Sequence, residues 1–169
     1  MKRRLLFAQA TVLLALVLSS LPCRAADMIF LELKGAKFGQ IKGDVIQKGR
    51  EGSIACLSFE QVISTRSGPE AIVIRKRIDK SSPLLIQALS DNQLIEARFK
   101  FWRPQTKAVT GVGSEEQFYT IEGKLGRVLS VKILSSTESK EAPMEEITLS
   151  FSDITWTYME GGITTQIKK

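Results

Sequence analysis

The stretch EEITLSFSDITWTY, residues 145–158, decides the fold, because apolar and polar side chains alternate along nearly all of it. Its apolar members are first at odd and then at even positions: Ile147, Leu149, Phe151, then Ile154, Trp156 and Tyr158. A period of two is typical of a strand with one buried face. The change of phase at Ser152 and Asp153 predicts a β-bulge there, since one extra residue returns the following side chains to the core face.

The same period recurs upstream and predicts further strands, the second of which ends near Ser64. The alternating sets are Ile29, Leu31, Leu33; Leu57, Phe59, Ile63; Ile72, Ile74, Ile78; Ile95, Ala97, Phe99, Phe101; Tyr119, Ile121; and Leu129, Val131, Ile133. These many short strands predict a mainly β domain, a small antiparallel β-barrel of two packed sheets with one short α-helix.

The helix is predicted in the one segment that breaks the alternation, residues 81–90. A serine N-cap is expected directly before Pro83 at the first helical position, where the missing N–H of proline costs nothing. Leu85, Ile86 and Leu89 are expected on one face of this helix.

The N-terminus has the order of an export signal. Basic residues 2–4 precede the apolar run Val12 to Leu18, and small residues follow at Ala25 and Ala26. This order predicts a signal peptide over residues 1–25, cleaved after Ala25, and a β-barrel domain over residues 26–169. The continuous apolar run is far shorter than the ~20 residues of a membrane-spanning helix, so no stable membrane anchor is expected. The mature protein is therefore predicted to be secreted or periplasmic.

Three alternatives concern this segment. Cleavage after Ala26 would place the bulky Arg24 at a small-residue position of the site. Cys23 is an alternative lipid-attachment residue, although Pro22 directly before it is a poor approach to one. If translation starts at Met28 instead, the protein is cytoplasmic before any secretion.

Charge and cysteine content exclude some classes of partner. The whole chain has 24 basic and 18 acidic residues, and loss of residues 1–25 removes four basic residues and leaves 20 against 18. Nucleic acid and anionic membranes are therefore not expected as partners. Cys56 would be the only remaining cysteine, which excludes an intrachain disulfide, and its apolar neighbours favour a buried, unreactive thiol.

The residues of common catalytic sites are missing. The chain has no histidine, which excludes Ser-His and Cys-His arrangements and the usual zinc sites. Gly111-Val112-Gly113 lacks the Lys-Ser/Thr ending of a phosphate loop and indicates a hairpin loop. The adjacent pairs Glu115-Glu116 and Glu145-Glu146 should point to opposite faces of a strand, which favours a solvated surface. The sequence therefore predicts no enzyme and no catalytic, cofactor-binding or metal-binding residue.

Two further clusters have a binding and a structural interpretation. Residues 75–77 with Lys80 could form a basic stripe, and Trp102 beside Arg103 could form a stacking platform. Alternation separates Arg75 and Arg77 from Lys76, which favours strand residues that face solvent or a neighbouring subunit. Trp156 and Tyr158, at a spacing of two, are interpreted as core or interface aromatics.

Two stretches resemble the Hcp family, the haemolysin-coregulated tube proteins of type VI secretion. Residues 71–85, AIVIRKRIDKSSPLL, resemble the family's strand that runs into an Asp-Lys-(Ala/Ser)-Ser-Pro helix start, and residues 145–158 resemble its closing strand. Residues 28–35, 49–59 and 116–121 are similar to family segments in the same order. The resemblance covers roughly residues 27–165.

The resemblance implies a β-barrel that assembles into hexameric rings, which stack into a secreted tube that carries effectors. Spike, sheath and effector proteins of type VI secretion are the implied partners, and such a structural role needs no active site. Two features depart from the family: the export signal, and the short connection at residues 66–70, where typical members have a longer Gly-rich extension. Ring formation is thus better supported than stacking, and the alternative is a Sec-exported Hcp-like binding module that acts in the envelope outside a tube.

Overall fold

The computed structural model describes residues 27–105, 115–135 and 142–168. The predicted signal peptide and the Gly111–Gly113 loop lie outside these residues. The elements of the described part are β1 (Met28–Gly35), β2 (Gly39–Ile41), β3 (Ile54–Ser64), β4 (Gly68–Arg77), α1 (Ser82–Ser90), β5 (Ile95–Pro104), β6 (Glu115–Leu134), β7 (Met144–Tyr158), a 3₁₀ turn (Glu160–Gly162) and β8 (Ile163–Lys168). The predicted class, mainly β with antiparallel strands and one short α-helix, is confirmed.

The strands follow one another around a ring. The order β1-β3-β4-β7-β6-β5 is closed by a further pairing of β1 with β5, while β2 is added to β1 and β8 to β7. β6 and β7 are the longest strands, with 20 and 15 residues, so each takes part in two sides of the ring. The two sides are thus parts of one continuous sheet.

The core lies inside this ring and is filled by aliphatic and aromatic side chains. Its fully buried members include Leu31, Ile54, Phe99, Ile147 and Leu149. Removal of such side chains from water is the main favourable contribution to folding.

The predicted helix is present, although its buried face differs from the prediction. α1 begins at Ser82, one residue before Pro83, so its N-cap is Ser81, which makes no side-chain capping hydrogen bond and donates to Asp79 instead. Its fully buried apolar side chains are Leu85 and Ala88, while Ile86 is 45% exposed. The expectation that Ile86 shares the packed face is therefore wrong, because α1 contacts β6 through a narrower stripe.

Several side chains expected on the core face of a strand are exposed: Leu57, Ile63, Ile78, Leu129 and Ile133. Leu57 and Leu129 are extra residues in their strands, because the register shifts once between Cys56 and Ser58 of β3 and once between Val128 and Ser130 of β6. Such an extra residue turns its side chain away from the core. Ile63 and Ile133 instead pair with the buried Pro69 and Glu145, and they are exposed where β3 and β6 have a described strand partner on one side only. Ile78 lies beyond the end of β4.

The bulge predicted at Ser152 and Asp153 is in a different strand. β7 stays in one register with β6 from Tyr158 to Leu149. β6 instead carries the extra residue against β5, because Ile95 pairs with Gly126 whereas Ala97 pairs with Gly123.

Both strands therefore change face together at this point. Leu125 has a φ of 50°, and the ring of Phe151 packs directly against the two buried glycines, Gly123 and Gly126. The phase change seen in residues 145–158 is real, but its cause lies in β6.

Candidate subunit interface

Within one subunit, the side of the closed sheet that is made by β3, β4, β7 and β6 is a four-stranded segment with two open edges. One row across it runs Phe59, Ile74, Ile147, Val131. β1 pairs with β3 only as far as Cys56, and β5 pairs with β6 only as far as Gly126. Within the described residues, positions 58–64 of β3 and 127–134 of β6 thus have a strand partner on one side only; we call them the β3 edge and the β6 edge.

Both edges carry exposed apolar side chains. Val62 and Ile63 on the β3 edge and Leu129 and Ile133 on the β6 edge are between 47% and 59% exposed. Open strand edges present unpaired backbone groups, and exposed apolar side chains beside them are typical of surfaces that another chain covers. The two edges are therefore the candidate sites of contact between subunits.

The outward face of the four-stranded segment is polar. The Arg75 Nε donates to the Glu146 Oε2 over 2.8 Å, and the Ser130 Oγ donates to the Thr148 Oγ1 over 2.9 Å. Arg75 projects outward and is more than half exposed, as the alternation of residues 75–77 predicts. The apolar contact surface is thus limited to the edges.

The opposite face of the same strands holds a buried ion cluster, which sequence analysis missed. The Nζ of Lys76 lies 2.6 Å from the Glu145 Oε1 and 2.7 Å from the Asp79 Oδ1. It also donates to the Ser82 Oγ and to the Arg77 carbonyl. Lys76 and Glu145 are almost completely buried, so the expectations that Lys76 faces solvent or a neighbour and that Glu145 is solvated are both wrong.

The cluster joins β4, the start of α1 and β7. Burial alone would raise the pKa of Asp79, but hydrogen bonds from Lys76 and Ser81 outweigh it and lower that pKa. Ser82 donates to Glu145, so each carboxylate contacts both the Lys76 ammonium and a serine hydroxyl. This arrangement suits a structural role, because neither carboxylate is positioned to exchange a proton with a ligand.

Cys56 lies opposite Lys76 in the β3–β4 ladder. Burial raises the pKa of its thiol to about 12. The thiol is therefore protonated at neutral pH, as the interpretation of an unreactive cysteine requires.

The aromatic and acidic residues near the start of β6 are engaged within the chain. The Arg50 guanidinium lies 3.7 Å from the centroid of the Trp102 ring and 2.6 Å from the Glu115 Oε2. Arg103 Nε donates to the Glu116 Oε1 over 2.7 Å. Trp102 therefore stacks on an arginine of its own chain, and Glu115 and Glu116 form partly buried ion pairs rather than the expected solvated surface.

The remaining predicted aromatic residues are also structural. Trp156 is buried and its Nε1 donates to the Gln61 Oε1, while Tyr158 is half-buried. In the described residues, no group of three or more acidic or cysteine side chains is arranged to hold a metal ion. No helix of that part of the chain is long and apolar enough to cross a membrane.

Comparison with known proteins gives a consistent result. The family model described as "Type VI secretion system effector, Hcp" matches residues 30–158. Hcp1 from E. coli EAEC 042 is 26% identical with a TM-score of 0.73, over 85% of this chain and 99% of that one. No curated protein sequence gives a significant match.

Two further solved structures share the fold at lower identity. The secreted protein Hcp3 from Pseudomonas aeruginosa is 21% identical with a TM-score of 0.72, over 85% of this chain and 98% of that one. Hcp1 from Salmonella typhimurium is 22% identical with a TM-score of 0.71, over 85% of this chain and 95% of that one.

Proposed function

The chain belongs to the Hcp family of type VI secretion proteins, and from that premise we propose that its copies close into hexameric rings through the β3 and β6 edges. The observation that carries the proposal is the pair of open edges on either side of one four-stranded segment. Two different edges that meet form a heterologous contact, which closes into a ring when the rotation between copies is right.

The function follows from assembly rather than from a chemical step. Pairing of the β6 edge with the β3 edge of the next copy supplies partners to backbone groups on both. It also removes the apolar side chains Val62, Ile63, Leu129 and Ile133 from water. The protein is thus proposed as a non-enzymatic ring component that encloses effectors and meets spike and sheath proteins of the secretion apparatus.

Charge placed at either edge is expected to break the ring without unfolding the subunit. In Val62→Lys and Ile133→Lys, a lysine must be desolvated wherever a neighbour covers it, whereas it remains solvated in a free subunit. Native mass spectrometry at micromolar concentration should show a hexamer for the parent. For each variant, the ratio of monomer to hexamer should rise by at least ~10-fold.

Ile46→Lys is the control, since Ile46 is also exposed but lies in the connection between β2 and β3, outside both edges. Far-UV circular dichroism should show the same folded β structure for all three variants, and the assembled control should unfold at a higher temperature because assembly stabilises the folded state. The proposal is wrong if the parent protein is strictly monomeric. It is also wrong if the edge variants assemble as the parent does.

The β3–β4 connection favours a ring as the assembled unit. Ser64 pairs with Gly68, so only residues 65–67 form the turn, which is closed by a 2.6 Å hydrogen bond between the hydroxyls of Ser64 and Ser67. This compact turn leaves little chain with which to reach an adjacent ring. Together with the predicted export signal, it favours a second candidate function, an Hcp-like module exported by the Sec route that binds a partner in the envelope.

Export through residues 1–25 is tested by fusion to a reporter that is active only in the periplasm. The full chain should give reporter activity, and a chain that starts at Met28 should give background activity, because the basic and apolar parts of the signal are then missing. The exported product should begin at Ala26 when its mass is measured. Secretion that needs the type VI apparatus but not residues 1–25 would instead establish the Met28 start and a cytoplasmic precursor.

A further inference from the structure

β8 is an edge strand with unusual exposure. It covers Ile163–Lys168 and pairs antiparallel with β7, from Tyr158 opposite Ile163 to Asp153 opposite Lys168. All six of its residues are exposed, and in the described part of the chain β7 is its one strand partner. It also lies after residue 158, where the match to the family model ends.

The edge of β8 is protected from pairing only by its short length and by a lysine at its end. Its sequence, ITTQIK, contains no proline and no acidic residue, its one charge is at the end, and its ladder with β7 shows no register shift. Ile163 and Ile167 stand beside Tyr158 and Ile154 in that ladder. They therefore continue the core face of β7 onto a strand that nothing in the described chain covers, with Ile163 at 70% exposure.

We propose that β8 pairs with β8 of a second copy, antiparallel, about a two-fold axis through Thr165. In this register Ile163 meets Ile167 of the other copy, Thr164 meets Gln166, and Thr165 meets its own equivalent. Apolar side chains face apolar ones and polar side chains face polar ones on both sides of the ribbon. Each surface patch is its own complement, as a two-fold contact requires.

Charge and side-chain pattern select this register. Lys168 falls opposite Gly162 of the other copy, so like charges do not meet. A shift by one residue would set Ile163 against Gln166 or Lys168, which mixes apolar and polar side chains. The central register alone matches all pairs.

A single contact of this kind is small. Six residues on each side bury far less than the roughly 800 Å² per partner of a stable interface, so an isolated pair of copies should associate weakly. Copies already joined in one assembly would present several such edges at once, which raises their effective concentration. The pairing itself does not depend on the proposed ring.

Disulfide trapping tests the pairing directly. In a Cys56→Ser chain that begins at Ala26, and so also lacks Cys23, Thr165→Cys places two thiols opposite each other at the axis, where Cβ atoms are about 4.5–5.5 Å apart and a short adjustment permits a disulfide. Under mild oxidation this variant should form a covalent dimer at least ~10-fold faster than Thr164→Cys, whose partner position is Gln166. A mixture of Thr164→Cys and Gln166→Cys chains should form the mixed dimer.

The outcomes separate this inference from the proposed ring. Equal trapping of Thr165→Cys and Thr164→Cys, or no mixed dimer, overturns the β8 pairing even if rings form. Trapping of Thr165→Cys in the Val62→Lys background, where rings are broken, supports the pairing on its own. A Thr165→Lys substitution should weaken association of whole assemblies, and an equimolar mixture with Thr165→Glu should restore it.

Discussion

Replacement of Lys76 by methionine is expected to lower the free energy of unfolding by about 3–5 kcal/mol, because it leaves the buried carboxylate of Glu145 without its cation. The hydroxyl of Ser82 would remain as a donor to Glu145, but one neutral hydrogen bond cannot replace an ion pair at 2.6 Å. Asp79 would lose its Lys76 hydrogen bond as well. Urea unfolding of the domain from residue 26 onward measures the loss.

Two control variants separate the buried pair from a general effect of charge. Lys76→Met combined with Glu145→Leu removes both charges of this ion pair but leaves Asp79 with its Ser81 hydrogen bonds alone. Replacement of a buried ion pair by apolar side chains is often close to neutral, so the part of the loss that is due to Glu145 should return. Arg75→Met, on the same strand but in the exposed pair with Glu146, should cost less than about 1 kcal/mol. A Lys76→Met loss no larger than that of Arg75→Met would contradict the structural role of the cluster.

Lys76 shows why the cluster was missed. It has the parity of Ile72 and Ile74 on β4, so the same alternation that places those two residues inside also places Lys76 inside. A lysine side chain is typical of an exposed position, whereas the place of Lys76 in the alternation of β4 predicts a buried one. Position prevailed because Glu145 lies directly opposite in β7, and that register cannot be known before the strands are paired.

The strands were predictable because alternation is a local property, whereas the bulges were not. A phase change in residues 145–158 is visible in the sequence, but the extra residue lies in β6, opposite β5. A paired strand that follows its neighbour changes face without any insertion of its own. Sequence pattern therefore locates such a bend along one strand but cannot say which strand of the ladder produces it.

The open edges were equally beyond local sequence. Ile63 and Ile133 are isoleucines in alternating runs, and nothing near them distinguishes an edge from a central strand. Their exposure follows from topology, since β1 leaves β3 after Cys56 and β5 leaves β6 after Gly126. The assembly role came instead from the family resemblance, and the pairing pattern supplies the physical surface for it.

Alanine at Gly123 is expected to lower the free energy of unfolding by about 1–3 kcal/mol through overpacking. An added Cβ would lie 2.5 Å from two atoms of the Phe151 ring, and all three of its nearest neighbours belong to that side chain. Phe151 is itself buried in the core where β6 and β7 change face, so the ring has little room to move. Chemical unfolding of Gly123→Ala against the parent domain measures the cost.

The equivalent change at Gly126 provides the control, because its surroundings differ in one respect. A Cβ there would meet the Phe151 ring and also the backbone carbonyl oxygen of Ser150, at 2.5 Å. Shortening the aromatic side chain with Phe151→Leu should therefore relieve most of the overpacking in Gly123→Ala but only part of it in Gly126→Ala, since the contact with the Ser150 carbonyl oxygen remains. A double-mutant cycle measures the two coupling energies, and no coupling between Phe151→Leu and Gly123→Ala would mean that Phe151 does not fix the bend.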